Sequence, residues 1–262
     1  MIDTHDSIMS LDGVSRRFTS RANDAVLALD NVSLDIRRKQ FITLVGPSGC
    51  GKSTLLKIIS GIISPTAGSI EFDGARLLKP SRQIGMVFQR PVLLPWRSVV
   101  ENILFPIEML GWNIAEYREE VKRLIQLVGL GGFENALPNE LSGGMQQRVS
   151  ICRALVYDPK MLMMDEPFGA LDAMTREDLS VELLRIWTER KKTVIFVTHS
   201  IPEAVLLADR VVIMSARPGR ILMDLPVNLP RPRSLETERL AEFQDLVHTI
   251  REAIYGERKV KQ

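Results

Sequence analysis

Two short segments of this sequence carry residue types that can hold a nucleoside triphosphate. The first reads Gly46-Pro47-Ser48-Gly49-Cys50-Gly51-Lys52-Ser53-Thr54. An apolar run, residues 41–45, precedes it, and a helical pattern over residues 55–63 follows it. In such a phosphate loop the glycines let backbone amides turn toward phosphate oxygens, and the helix N-terminus adds partial positive charge. Lys52 would then reach the β- and γ-phosphates, and the Ser53 hydroxyl would bind Mg²⁺.

The second segment is an apolar strand candidate, residues 161–164, that ends in two carboxylates. A strand beside the phosphate-loop strand would deliver Asp165 to the Mg²⁺ ion. Glu166 lies one residue further, where it could activate a water molecule for attack on the γ-phosphate. Together the two segments predict an enzyme that hydrolyses a nucleoside triphosphate.

A third segment, Leu141-Ser142-Gly143-Gly144-Met145-Gln146-Gln147-Arg148, narrows the class. Ser142 is a good helix N-cap, and the glycines after it let a phosphate approach the helix N-terminus, which makes a second anion site. With this segment the sequence resembles the nucleotide-binding subunit of ATP-binding cassette (ABC) transporters. The resemblance implies ATP and Mg²⁺ as cofactors and a head-to-tail homodimer. In that dimer, Leu141, Ser142, Gly143, Gly144 and Gln146 face the ATP held by the other copy.

Further residues match the family in the order that it requires. Gln89, after the strand candidate 84–88, resembles the glutamine that joins the shell of Mg²⁺ and the attacking water. His199 resembles the switch histidine that contacts the γ-phosphate, and Phe18 resembles the aromatic residue that stacks on adenine, where many relatives carry Tyr. The implied catalytic residues are Glu166, His199, Lys52 and Gln89, and the implied metal ligands are Ser53, Gln89 and Asp165.

One more loop is implied by the resemblance. Ala170-Leu171-Asp172 resembles the loop with which each subunit touches the other subunit's site. Asp172 could equally serve only as the N-cap of the next helix.

Alternating strand and helix patterns must position these residues. Strand candidates occupy residues 32–36, 41–45, 69–72, 84–88, 161–164, 193–198, 210–215 and 220–225. Apolar residues recur at three- and four-residue spacing over residues 114–128 and 175–190, as in amphipathic helices. Strands interleaved with helices predict an α/β fold with parallel strands. The resemblance specifies a P-loop ATPase core of ABC type, with a mixed sheet, N-terminal antiparallel strands and an inserted helical subdomain.

The predicted organisation is one ATPase domain over residues 1–230 and a tail over residues 231–262. The helical subdomain is expected at about residues 90–160. In the tail, apolar residues at helical spacing predict an amphipathic helix that packs on its own domain or docks on a partner: Leu240, Phe243, Val247, Ile250 and Ile254. Arg231 and Arg233 are expected to be solvated.

Composition excludes several classes of protein. Of 262 residues, 34 are Lys or Arg and 32 are Asp or Glu, a net charge of +2. This balance argues against bulk electrostatic binding of nucleic acid, so no nucleic-acid partner is expected. No uncharged stretch approaches the roughly 20 apolar residues of a membrane-spanning helix. Residues 1–6 lack the features of a secretory signal, and the two cysteines, Cys50 and Cys152, suit a reduced compartment.

An ATPase without a membrane-spanning helix needs a partner that uses the free energy of ATP hydrolysis. The resemblance implies an integral membrane permease that docks on the helical insertion after Gln89. The chain would then be peripheral, on the cytoplasmic face of the inner membrane. Residues 90–96, which end in Leu94-Pro95-Trp96, are either part of this docking surface or a buried connecting loop.

Three short motifs indicate the branch of the family. Residues 94–96, 167–172 and 215–220 resemble the importers of nitrate, sulfonates, taurine and related small solutes. Such importers also use an extracytoplasmic solute-binding protein, which would be an indirect partner. The sequence therefore predicts an ATPase subunit that powers the import of a small solute. Two alternatives stay open: the ATPase subunit of an ABC exporter, and a soluble ABC ATPase of DNA repair or translation.

Overall fold

A computed structural model describes residues 6–19 and 25–260 of the chain, with side chains up to residue 256. Residues 1–5, which bear on the expected absence of a secretory signal, lie outside the described residues. The chain divides into two compact units. One comprises residues 1–82 and 192–262, and the other comprises residues 83–191.

Strands and helices alternate along the chain. The first unit begins with β1 (Ser7–Thr19), β2 (Ala25–Arg37), β3 (Phe41–Val45), α1 (Lys52–Ile59), β4 (Ala67–Phe72) and β5 (Ala75–Arg76). The second unit holds β6 (Ile84–Val87), α2 (Val99–Met109), α3 (Arg118–Leu127), α4 (Gly143–Leu155), β7 (Met161–Asp165) and α5 (Ala173–Arg190). The first unit then continues with β8 (Thr193–Val197), α6 (Ile201–Leu207), β9 (Arg210–Met214), β10 (Ile221–Pro226) and α7 (Ala241–Val260). Short 3₁₀ helices lie at Ile114–Tyr117, Pro138–Glu140 and Leu235–Arg239.

An antiparallel sheet in the first unit has the strand order β2-β1-β4-β5. Strand β1 has no counterpart among the strand candidates, although the resemblance implies N-terminal antiparallel strands. Its buried apolar residues, Ile8, Met9, Leu11 and Val14, are unevenly spaced. The spacing is uneven because the register of β1 against β2 shifts several times along the strand. Such bulges break the period-two pattern on which a strand prediction depends.

Strand β3 is the centre of the parallel part of the first unit. It pairs in parallel with β8 on one side and with β9 on the other, and β10 runs antiparallel to β9. All residues of β3 and β8 are buried, as expected for strands covered on both faces. Leu44 is paired with both Val197 and Val212. The three strands therefore end at one edge, from which residues 46–51, 198–200 and 215–220 continue.

The second unit is mainly helical. Its strands β6 and β7 pair in parallel, with Val87 opposite Met164. Residues 91–158, all of which the structure describes, contain no strand. Helix α2 begins with a capping box in which the Ser98 hydroxyl accepts from the Glu101 amide and the Glu101 carboxylate accepts from the Ser98 amide. The segment at which the sequence pattern predicts a helical insertion holds α2, α3 and α4.

The C-terminal helix packs within the first unit. Helix α7 packs on α6 and β9 and buries Phe243, Val247, Ile250 and Ile254. Four of the five residues predicted for this apolar face are thus buried within their own unit, whereas Leu240 precedes α7 and is exposed. Within residues 6–19 and 25–260, no helix is both long and apolar enough to span a membrane.

The expectation that Arg233 is solvated is wrong. Arg233 is only 6% exposed, and its guanidinium donates to five backbone carbonyls at the C-terminal end of α6 and before the tail: Val205, Leu206, Ala208, Val227 and Leu229. Arg231 is half-buried as well, and it pairs with Asp209 at 2.7 Å. The last carbonyls of a helix have no partner within the helix, and these side chains supply donors for them.

Candidate nucleotide-binding site

The phosphate loop joins β3 to α1 in the first unit. Gly51 is the N-cap of α1, and no side chain caps this helix. Its φ of 108° is one that L side chains rarely adopt, and a Cβ there would lie 2.8 Å from the Leu29 Cδ2 atom. Amides at an N-terminus without a side-chain cap are available to an anion, and the helix dipole favours negative charge there. The local geometry thus suits a phosphate group.

Lys52 lies inside this loop. It is 6% exposed, and its ammonium donates to the Gly46 carbonyl at 2.9 Å and to the Pro47 carbonyl at 3.2 Å. The Cys50 thiol lies 3.8 Å from the same nitrogen. Burial raises the pKa of this thiol, against the opposing effect of the Lys52 charge. The loop thus holds a positive charge in the position from which a lysine can meet phosphate oxygens.

His199 follows β8 in the same unit. The Thr198 amide donates to the Leu44 carbonyl at 3.2 Å, so the chain leaves β8 beside the start of the phosphate loop. The Thr198 hydroxyl donates to the Glu203 carboxylate and accepts from the Ser200 amide at 3.0 Å. These bonds hold the backbone on both sides of His199, whose side chain is exposed. His199 and the phosphate loop therefore lie at the same edge of the parallel strands.

Phe18 lies near the end of β1, opposite Val26 of β2. The Arg16 guanidinium carbon lies 4.7 Å from the centre of its ring, a cation–π contact. Arg16 also donates to the Ser64 carbonyl at 2.8 Å, which fixes the guanidinium. The Phe18 ring is partly exposed, and its role as an adenine-stacking residue stays a prediction.

In the second unit, Gln89 and Glu166 lie at the same edge of the β6–β7 pair. Each is two residues beyond the paired Val87 and Met164. A Cβ on Gly169 would lie 3.2 Å from the Gln89 Nε2 atom and 3.3 Å from the Glu166 carbonyl oxygen. The turn of residues 166–169 is therefore in contact with the Gln89 side chain. Glu166 has a φ of 46°, in the left-handed region. Strain of this kind in a non-glycine residue is concentrated at functional sites.

Ser142 is the N-cap of α4, as predicted. Its hydroxyl accepts from the Met145 amide at 3.3 Å. The Gln146 side chain donates to the Pro138 carbonyl at 2.9 Å and to the Leu141 carbonyl at 3.3 Å, which orders the turn before the helix. The backbone of residues 141–146 is thus fixed with its helix N-terminus accessible at the exposed residues Ser142 and Gly143.

The loop of residues 170–172 lies next to this helix. A Cβ on Gly143 would lie 3.4 Å from the Leu171 side chain. Asp172 is the N-cap of α5 and accepts from the Thr175 amide at 3.0 Å. That hydrogen bond holds the pKa of the Asp172 carboxyl below its ordinary value. Asp172 therefore has the helix-capping role that the sequence allows for it. Contact of Asp172 and of the exposed Ala170 with a second subunit stays a prediction.

Two residues outside the predicted set hold the segment after β6. Gln147 is 1% exposed and donates to the Phe88 carbonyl at 3.3 Å. Arg153 donates to the Pro91 and Val92 carbonyls at 2.6 and 2.8 Å. Both lie on α4, so the helix that begins at Ser142 also anchors the chain around Gln89. A polar residue on the buried face of a helix is the signal that could have indicated Gln147.

The reading of residues 90–96 as a buried loop is wrong for Trp96, which is 72% exposed. The buried Asn102 holds the turn beneath it, since its amide donates to the Leu94 and Arg97 carbonyls and its carbonyl accepts from the Leu94 amide. The indole therefore projects from an ordered turn.

The donors proposed for Mg²⁺ have suitable chemistry. The Ser53 hydroxyl, the Gln89 amide oxygen and the Asp165 carboxylate are hard oxygen ligands. In the part of the chain that the structure describes, no cluster of three or more His, Cys, Asp or Glu side chains could hold a metal ion. Few protein ligands are what Mg²⁺ needs when phosphate oxygens and water complete its shell.

Comparisons with known proteins identify the family. A family model described as ABC transporter matches residues 29–169. The chain is 47% identical over 239 residues to the aliphatic sulfonates import ATP-binding protein of Bacillus cereus, covering 91% of this chain and 94% of that protein. It is 46% identical over 213 residues to the taurine import ATP-binding protein of Jannaschia sp., covering 81% and 80%. A dimeric ATP-binding cassette in a post-hydrolysis state with ADP and Pi superposes with a TM-score of 0.73 at 31% identity, covering 85% of this chain and all of that one.

The fold and the phosphate loop define a P-loop ATPase of the cassette type. The chain belongs to the ABC transporter family. The predictions of the family, the fold class and the ATPase activity are thereby confirmed.

Proposed function

We propose that two copies of this chain bind and hydrolyse MgATP and so power a membrane permease that imports a small sulfonate, taurine, nitrate or a related solute. The chain itself binds ATP and the permease, and it does not contact the solute. It is peripheral, on the cytoplasmic face of the membrane that holds the permease. The extracytoplasmic solute-binding protein is a partner of the permease.

The observation that carries the proposal is the phosphate loop. The N-terminus of α1 has no side-chain cap, and Lys52 is held among backbone carbonyls in the loop. Both features favour an anion at this point. His199 lies at the same strand edge, where it can contact a terminal phosphate.

Each remaining residue has one proposed role. Glu166 accepts a proton from the attacking water, and Gln89 orients that water. Bound Mg²⁺, held by Ser53, Gln89 and Asp165, supplies positive charge that offsets the charge of the phosphates. Phe18 stacks on adenine.

Residues 141–146 bind the ATP held by the second copy, and the loop of residues 170–172 touches that copy. The N-terminus of α4 supports this role, because its first residue, Gly143, is exposed and the helix dipole favours negative charge there even though the Ser142 hydroxyl caps the Met145 amide. The dimeric cassette with ADP and Pi supports assembly as a dimer.

Import is supported by two relatives, whose names describe import ATP-binding proteins for aliphatic sulfonates and for taurine. These relatives do not favour the exporter or the repair and translation alternatives. The permease docks on the second unit at the turn that carries Trp96, because a large apolar side chain exposed on an ordered turn is typical of an interaction surface.

The chemical step is tested with Glu166→Gln in the purified full-length chain. This variant keeps ATP affinity and loses about 10²- to 10⁴-fold in turnover, the range that a general base supplies. Glu119→Gln, an isosteric change at an exposed glutamate of the second unit, is the matched control and stays near wild type. Steady-state hydrolysis by Glu166→Gln at the wild-type rate would reject Glu166 as the base.

The transport role is tested in cells whose own copy is replaced by Glu166→Gln. Uptake of taurine, ethanesulfonate and nitrate is measured separately. Loss of uptake of one of these solutes identifies the class of cargo. Unchanged uptake of all three, together with co-purification of ribosomes or DNA instead of a permease, refutes the transport role.

A further inference from the structure

We propose that the turn of residues 215–220, between β9 and β10, positions the phosphate loop for nucleotide binding, and that Arg217 is its positioning residue. The proposal rests on ATP binding at this loop and adds a group to it. In the sequence this turn served only to indicate the branch of the family.

The turn lies against the loop because of strand register. Val45 of β3 pairs with Ile213 of β9. The residues that follow these two strands therefore run side by side. A Cβ on Gly46 would lie 2.8 Å from the Met214 carbonyl oxygen, which shows how closely the two backbones approach.

Two consecutive carbonyls of the phosphate loop face this turn. The Arg217 guanidinium donates to the Gly49 carbonyl at 3.3 Å. Gly219 lies so close to the Cys50 carbonyl that a Cβ on it would collide with that oxygen. In a trans peptide the N–H points opposite to the C=O. Contacts that hold the Gly49 and Cys50 carbonyls on the outside therefore direct the Cys50 and Gly51 amides to the other side, into the loop.

The Cys50 amide already points across the loop. It donates to the Pro47 carbonyl at 3.3 Å. Amides of this loop are the donors expected to hold phosphate oxygens. The turn thus orients the phosphate-binding amides through the carbonyls on the opposite side of the same peptide groups. Arg217 itself is not part of the site that the phosphates occupy.

The turn is itself rigid. The Ser215 hydroxyl accepts from the Arg220 amide at 2.9 Å and donates to the Pro218 carbonyl at 2.8 Å. The Arg220 guanidinium pairs with Asp30 at 2.5 Å.

The turn is also attached to the first half of β2. The Gly219 amide donates to the Ala28 carbonyl at 2.9 Å, and the Asp30 amide donates to the Gly219 carbonyl at 3.0 Å. Arg217 therefore reaches the loop from a fixed base, and a fixed base is what a positioning contact needs.

The expected consequence is a change in affinity with no change in turnover. A loop whose amides are ordered before binding loses less freedom when the nucleotide binds. Removal of the Arg217 contact should weaken ATP and ADP binding alike, by about 3- to 10-fold, the range for one hydrogen bond from a charged but exposed donor. The maximal rate should stay near wild type, because Glu166 and His199 are untouched.

The test is a titration of the full-length chain with fluorescent ATP and ADP analogues, combined with steady-state ATPase assays. The variants are Arg217→Ala, Arg217→Lys and the control Arg76→Ala, which removes the same charge from an exposed residue of the short strand β5. We expect Arg217→Ala to raise the Kd of both nucleotides and the KM of ATP, Arg217→Lys to restore part of the affinity, and Arg76→Ala to match wild type.

Other outcomes reject the proposal in distinct ways. A loss with ATP but not with ADP would mean that Arg217 contacts the γ-phosphate directly. An equal loss in Arg76→Ala would mean a general effect of net charge. Wild-type affinity in Arg217→Ala rejects the positioning role while the proposed function stands, whereas failure of wild type itself to bind nucleotide rejects both.

Discussion

Replacement of Arg233 by methionine tests how the tail stabilises the first unit. Methionine replaces the unbranched aliphatic part of the side chain but leaves five backbone carbonyls without their donor: Val205, Leu206, Ala208, Val227 and Leu229. Three of these carbonyls lie at the C-terminal end of α6, the helix that begins just after His199. The substitution should therefore destabilise the fold at a point connected to the nucleotide site.

The size of the effect follows from two opposing contributions. A polar group left unsatisfied in the interior costs about 1–3 kcal/mol, and we take the low end for each of the five carbonyls because water and relaxation reach some of them. Burial lowers the pKa of Arg233 to about 10, so the charged form carries a cost of about 3 kcal/mol that the substitution relieves. The net loss is about 2 kcal/mol, which for a chain of this size lowers Tm by roughly 4–8 °C.

The assay is thermal and urea denaturation of the full-length chain, followed by circular dichroism at pH 7. At this pH the Arg233 guanidinium is charged, since its pKa of about 10 is well above the pH. The matched control is Arg239→Met, which removes an arginine whose ion pair with Glu236 is exposed on both sides. An exposed pair at i,i+3 spacing contributes about 0.2–0.5 kcal/mol, so the control should unfold within about 2 °C of wild type. If Arg233→Met unfolds together with the control, the reasoning from buried carbonyls is refuted.

Three further predictions concern the site and the proposed interface. Lys52→Ala should weaken ATP binding by about 100-fold, since it removes a charge-assisted contact with two phosphates, and a nucleotide titration that matches wild type contradicts this role. The Cys50 thiol is buried and its pKa is raised, so at pH 7.5 the folded chain should react with iodoacetamide at Cys50 at least about 10-fold more slowly than the chain unfolded in urea. The rate of this reaction should increase as the pH rises. Equal rates in the folded and the unfolded chain would rule out the argument from burial. Trp96→Ala should leave the ATPase activity of the isolated chain unchanged and reduce solute uptake, and unaltered permease assembly and uptake would show that Trp96 is no docking residue.

Part of the fold could be predicted because the central strands β3 and β8 are short and uniformly buried. Every residue of β3 and β8 is buried, so a continuous apolar run was sufficient to indicate them. Strand β1 could not be located in the same way, since its register shifts remove the alternation that a half-buried strand normally has. Among the helices, α3 and α5 followed from their apolar spacing, with only the first turn of the former replaced by 3₁₀ geometry.

The residues of the candidate site likewise fall into those that the sequence could assign and those that it could not. Ser142 and Asp172 could be assigned as helix caps, because a cap depends on a residue type and on amides two or three positions away. The acceptors of Gln147 and Arg153 could not be assigned, because they lie about 60 residues earlier in the chain. Trp96 had two equal interpretations until its exposure was known.

The sequence by itself determined the chemistry of this protein. Glycines, Lys52, Ser53, Asp165 and Glu166 stand at spacings that phosphate binding and hydrolysis require locally, and a local requirement is visible in a local pattern. Only the tertiary structure decided what supports that chemistry. Arg217 meets the Gly49 carbonyl across 168 residues, and Arg233 meets the end of α6, because strand register and helix packing bring these groups together. Both arginines look like ordinary surface charges in the sequence, since nothing in a side chain's type reveals which distant carbonyl it will satisfy.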